Sequence, residues 1–281
     1  MPLIWLITGT SSGFGNEFVK QVLSRGDKVI ATARNVAKIS HLKELGAAVM
    51  ALDVTSPQPE LNAKAAEAIS VYGQVDVLVN NAAFTQFGFL EDMNDENYVK
   101  QFNTNVFGTI NTTRAFLPHL RSRKAGTIVT IGSMSAWETY PGVGAYSASK
   151  AALRYAMDAL DQEVGSIGIK SLLVEPGQFR TELLSSQNSN YAETNIQEYQ
   201  AVAQATFETF RGAHGNQRGD VQKGVARIID VVRGENGAAG KKWPKELVLG
   251  PDAVAVIRKK CEETLKMLAE WEQFSTGTDV V

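Results

Sequence analysis

Seven short apolar runs rich in β-branched residues punctuate the chain, at 3–8, 28–33, 48–53, 75–80, 126–132, 170–175 and 246–250. Apolar and polar positions do not alternate in them. Runs such as LIWLIT and VDVLVN are nearly continuous, as expected of strands buried on both faces. Longer segments with apolar positions at helical spacing lie between them, near 14–25, 36–45, 60–72, 95–121, 145–167, 219–232 and 251–272. Repeated strand–helix–strand units imply right-handed parallel crossovers. The pattern predicts an α/β fold: a doubly wound, parallel, seven-stranded sheet with helices on both faces, as a single domain over 1–281.

One stretch breaks the rhythm. Residues 182–218 are polar and rich in asparagine and glutamine, between the sixth strand and the helix at 219. An insertion of that length is either a substrate lid or a surface excursion without a role. The helix at 251–272 alternates apolar and charged positions, which predicts one packed face and one wet face. The last few residues are polar and read as mobile.

Composition narrows the partners. Lys and Arg number 28 against 30 Asp and Glu, a net charge of −2, so nothing draws nucleic acid or an anionic membrane. No window approaches the roughly 18 apolar residues of a membrane span. The N-terminal PLIWLITG lacks a basic leader and runs straight into a glycine turn. The one cysteine, Cys261, lies in a charged helical stretch without a nearby histidine, reads as a neutral thiol, and fits a reducing compartment. The chain is therefore expected to be soluble and cytoplasmic. His41, His119 and His214 are far apart in sequence and form no ligand spacing, so no metal is expected.

The first candidate chemistry follows the first strand. Gly9, Thr10, Ser11, Ser12, Gly13, Phe14 and Gly15 form a glycine-rich turn that opens a helix. Glycine serves where the chain turns sharply against a pyrophosphate, and the helix N-terminus offers free N–H groups and partial positive charge. The second strand ends in Ala31-Thr32-Ala33-Arg34-Asn35, without the acid that would bind an adenosine ribose. A guanidinium there can grip a 2′-phosphate, so Arg34 favours NADP(H) over NAD(H); stacking on adenine is its alternative role.

The second candidate is Tyr146 with Lys150, four residues apart and hence on one helical face, with Ser133 just past the fifth strand. A nearby ammonium is expected to lower the phenol's pKa, fitting it for proton transfer.

These motifs together resemble the short-chain dehydrogenase/reductase family, in its single-domain branch of Rossmann type. The glycine spacing GxxxGxG, Asp53 with Val54 after the third strand, Asn80-Asn81-Ala82-Ala83, Asn105, Ser133, Tyr146, Lys150 and Pro176-Gly177-Gln178-Phe179-Arg180-Thr181 carry the resemblance; Ala83 stands where the family has glycine. It implies that Asp53, Val54, Asn81, Ala82, Pro176, Gly177, Phe179 and Thr181 join the glycine turn, Tyr146 and Lys150 around the dinucleotide. It further implies that Asn105, through a water, completes a proton relay with Ser133, Tyr146 and Lys150. The implied activity is an NADPH-dependent carbonyl reductase, or the same enzyme as an alcohol dehydrogenase. A silent dinucleotide sensor and an epimerase or dehydratase are the alternatives. Substrate contacts are expected from Phe84, Gln86 and Phe87, from Ser133, Ser135, Trp137, Glu138 and Tyr140, and from Gln178, Phe179 and the segment from Leu183 onward. The many aromatics suggest an apolar small-molecule substrate. Relatives often pair their fourth and fifth helices, so a homodimer or homotetramer is a further expectation.

Overall fold

The computed structural model describes residues 1–280. The first half contains β1 (Ile4–Ile7), α1 (Gly13–Ser24), β2 (Lys28–Ala33), β3 (Ala48–Ala51), α2 (Gln58–Tyr72), β4 (Val77–Asn80), β5 (Thr85–Phe87), α3 (Asp95–Phe102) and α4 (Gly108–Arg123). The second contains β6 (Gly126–Ile131), α5 (Gly144–Val164), β7 (Ile169–Pro176), β8 (Ser189–Tyr191), α6 (Gln197–Ala213), α7 (Val221–Arg233), β9 (Glu246–Leu249) and α8 (Pro251–Ser275). Seven strands form one sheet in the order β3-β2-β1-β4-β6-β7-β9, and every pairing is parallel. The chain folds as a single Rossmann-type domain with helices on both faces.

Two apolar layers explain the continuous strands. Trp5 and Ile7 pack with Phe18, Val22, Ile228 and Ile229 of α1 and α7. Ile4 and Leu6 point the other way and meet Ala65, Phe116, Leu120 and Leu153 of α2, α4 and α5. Successive strand residues face opposite sides, so a strand covered on both must be apolar throughout. All four residues of β1 are buried.

Four segments depart from the sequence pattern. The stretch expected as a helix at 36–45 is a 3₁₀ helix at Val36–Lys43, started by Asn35, whose side chain accepts from the Ala37 N–H. The long fourth helix is divided into α3 and α4 by one π-helical turn, Asn103–Phe107, which contains Asn105. The polar insertion holds β8, paired with β5, and the 17-residue α6. Ala203 and Phe207 of α6 are buried against Phe87, Val143 and Tyr146, so the insertion has an apolar core of its own. Finally, α8 has no packed face beyond its first turns: from Arg258 onward every described residue is exposed. The expectation of one packed and one wet face is corrected there.

Candidate active site

A cleft of about 480 Å³ opens over the carboxyl ends of the central strands. Ligands gather there in open α/β sheets, because the strand order reverses and the loops diverge. One end is walled by Gly9, Ser11, Ser12, Gly13 and Phe14 of the glycine turn, with Arg34, Asp53 and Val54. Gly9 and Gly13 have φ of +69° and +54°, a left-handed backbone that glycine adopts without strain. Ser12 stands at the N-cap of α1 without a side-chain cap bond, leaving first-turn N–H groups to face the cleft. These features fit the diphosphate of a dinucleotide.

The turn is held from below. The Asn81 amide donates to the carbonyls of Thr8 (2.9 Å) and Gly9 (3.0 Å). The Thr8 hydroxyl accepts from the N–H groups of Asn81 and Ala82, at 2.9 and 3.1 Å. A Cβ on Gly9 would lie 2.9 Å from the Ala82 Cα, so close approach also demands glycine there. Ala83 needs no left-handed backbone, and the glycine it replaces is not missed. Asp53 folds its carboxylate onto Thr55, accepting from the N–H at 2.9 Å and the hydroxyl at 2.7 Å.

The other end brings Ser133, Tyr146 and Lys150 together on the cleft wall, with Ser135, Tyr140 and Gln178. Tyr146 and Lys150 lie in the first two turns of α5 and are 7% and 3% exposed, so both polar tips sit in a dry environment. Lys150 Nζ donates to the Ile131 carbonyl (2.8 Å) and stands 5.8 Å from the Tyr146 ring centre. Burial pushes the ammonium pKa down to about 8. Burial also raises the Tyr146 phenol above its ordinary value, against the opposing pull of the Ser133 hydroxyl. The lowering expected from the ammonium is not found: burial dominates, and the opposing pull comes from Ser133. Tyr140 donates to Glu138 (2.6 Å), and its phenol is raised to about 12.

Pro176, Gly177, Phe179 and Thr181 line the cleft as a bridge between its two ends. Phe179 meets Phe14 edge to face at 5.1 Å. The root of α8 fixes this segment: the Asp252 carboxylate accepts from the Gln178 N–H (2.7 Å) and fills the space where a Cβ of Gly177 would be.

Five of the expected site residues lie off the cleft wall. Thr10 is fully buried and donates to the Thr32 carbonyl (3.2 Å). Gly15 is also below the surface, where a Cβ would collide with the Gly9 carbonyl and the Asn81 amide. Gln86 is 3% exposed and turns its amide to the Phe87 carbonyl (3.1 Å). Trp137 points away from the cleft, donating to Glu175 (2.9 Å) beneath the Arg154 guanidinium, 4.4 Å from its ring centre. Asn105 does not reach the cleft. Its side chain clamps both backbone groups of Phe84, accepting at 3.2 Å and donating at 3.1 Å, and also donates to Ser149 (3.2 Å). Its π-helical turn offsets the helix there, a distortion common at functional sites.

Phe84 and Phe87 remain on the wall, joined by Leu183 and by Leu184, Asn190, Phe210 and Gln217 of the insertion. The last four lie in the segment expected to close the site, though none of them was named individually from sequence. Ala203, Phe207 and Phe210 recur at helical spacing, a signal for an amphipathic helix that the surrounding polar residues masked.

Residues 4–192 match the family model for short chain dehydrogenases. Along 99% of its length the chain is 34% identical to the whole of Oxidoreductase BOA17 of Botryotinia fuckeliana. Over 78% of its length, and 81% of the relative's, it is 34% identical to 3-ketodihydrosphingosine reductase of Bacteroides thetaiotaomicron. A crystal structure of a short-chain dehydrogenase from Streptomyces avermitilis superposes with a TM-score of 0.89 at 37% identity, covering 99% of this chain and 98% of that one. The cleft at the strand ends and this matched stretch of sequence make the chain an oxidoreductase of the short-chain dehydrogenase family.

Proposed function

We propose that the protein is an NADPH-dependent carbonyl reductase, working in reverse as an alcohol dehydrogenase, on a mostly apolar ketone or aldehyde. The observation that carries this reading is the convergence of Ser133, Tyr146 and Lys150 at one end of a cleft whose other end holds Arg34. When bound, the nicotinamide cofactor supplies or accepts the hydride. Tyr146 donates its phenolic proton to the carbonyl oxygen, and the Ser133 hydroxyl holds that oxygen in place. A raised phenol pKa keeps the proton on Tyr146 at neutral pH, as an acid requires. Lys150 brings positive charge to the same volume. Asn105 acts at one remove, fixing the Phe84 backbone.

The substrate class follows from the wall. Phe84, Phe87, Val143, Leu184 and Phe210 present apolar surface, and Gln178, Asn190 and Gln217 supply a few polar anchors. A relative named for reducing a ketone agrees with this. Residues 182–218 form the lid, and Arg34 sets the preference for NADP(H) over NAD(H).

NADPH absorbance followed against a panel of ketones and aldehydes should reveal turnover, and none with any carbonyl would overturn the proposal. Tyr146→Phe should bind NADPH as tightly as the parent while kcat drops by at least ~100-fold. Undiminished turnover would remove Tyr146 as the proton donor.

A further inference from the structure

We propose that α8 is a self-association helix through which two copies of the chain pair in antiparallel fashion. At 25 residues it is the longest helix described, and its root touches the body at β9, the 134–136 turn and the Gln178 backbone. An isolated helix gains little from its own hydrogen bonds in water, and most helical stability comes from packing an apolar face. Among the described residues, nothing covers such a face on α8. Ile257, Cys261, Leu265, Leu268 and Trp271 recur at intervals of three and four residues, a single stripe along the helix. Leu265, Leu268 and Trp271 are 66%, 54% and 51% exposed, and Phe274 at the stripe's edge is 82% exposed. Contiguous exposed apolar surface of this kind marks an association site.

Charge selects the occupant and its direction. Arg258, Lys259 and Lys260 lie toward the root and Glu270 and Glu272 toward the far end, with Glu262, Glu263 and Lys266 between them. Arg258 and Glu272 are each seven residues from Leu265. A two-fold axis near Leu265 therefore sets Arg258 of one copy beside Glu272 of the other, twice. A parallel pair would set like charges side by side. Opposite charges flanking an apolar seam are the usual determinant of orientation in paired helices. The stripe is self-complementary, as a two-fold interface requires. The helix stands clear of the body from Arg258 onward, so a second copy can lie along it without displacing any element. This surface is separate from α4 and α5, and pairing through α8 adds to any contact made there.

Sedimentation equilibrium of the full chain tests the idea. Leu265→Glu/Leu268→Glu should halve the native mass, with an unchanged melting temperature of the domain to show that it still folds. Arg258→Glu alone and Glu272→Arg alone should each weaken association, and Arg258→Glu/Glu272→Arg together should restore it. A parent that is monomeric, an unchanged mass in the double glutamate variant, or no rescue by the paired reversal would overturn the proposal. Cys261 supplies an independent check of direction. In the antiparallel pair the two thiols lie eight residues apart along the axis, about 12 Å at the helical rise, beyond the ~7 Å limit for a disulfide. Oxidation should give no covalent dimer. A disulfide dimer through Cys261 would overturn the antiparallel arrangement.

Discussion

At the scale of the residue, Lys150 is the most informative side chain. It is almost wholly buried, its one hydrogen bond goes to a backbone carbonyl, and its pKa falls to about 8. Its charge is fully present below that value and is lost as pH rises through it. If positive charge beside Tyr146 supports proton donation, kcat/KM for carbonyl reduction should be level below pH 8. It should then fall about tenfold per unit above, as a single titration requires. Lys150→Met should be slow and flat across the same range. A parent profile without a limb between pH 7 and 9 would show that the charge of Lys150 is not needed. Tyr146 titrates above its ordinary value and keeps its proton throughout this window.

At the scale of the element, α6 is the part whose role is most open to experiment. It lies over the site on an aromatic cluster: Phe207 meets Tyr191 and Phe89 edge to face, and Phe210 packs on Phe87 at 4.9 Å. The same cluster covers Tyr146, so the insertion supplies part of the dryness that shifts the phenol. Phe207→Ala removes a ring that is 1% exposed, a change that typically costs ~3–5 kcal/mol. As a lid, α6 should detach locally. Trypsin should then cut faster at Arg211 or Arg218, KM should rise, and the melting temperature of the sheet should hold. A lower melting temperature without faster cleavage would make α6 an integral part of the core.

At the scale of the whole molecule, cofactor preference can be read from stability. A ligand that binds only the folded state raises its stability by RT ln(1 + [L]/Kd), and each tenfold gain in affinity adds about 1.4 kcal/mol at saturation. Arg34 is exposed on the cleft rim, where a charged partner costs it little dehydration. NADPH should therefore raise the melting temperature more than NADH at equal concentration, and Arg34→Ala should close the gap. Equal shifts in the parent would move selectivity away from Arg34. The two loops that bound the site share one support, since the root of α8 touches both the 134–136 turn and the Gln178 backbone.

The fold was legible because burial on both faces leaves a strand no freedom but to be apolar, as LIWLIT and VDVLVN are. The glycine turn and the Tyr146–Lys150 pair were legible because local geometry dictates them: a left-handed backbone in one, a shared helical face in the other. What lies between distant segments was not. Whether Trp137 faces the cleft or Glu175, and which protein groups Asn105 holds, depends on what the fold carries to their side chains. The direction of the Tyr146 shift was likewise settled by burial under α6, a helix whose short apolar stripe is drowned in polar residues. Spacing along the chain determined which residues could share a face; only the packed structure decided which of them stand dry, paired or open to a ligand.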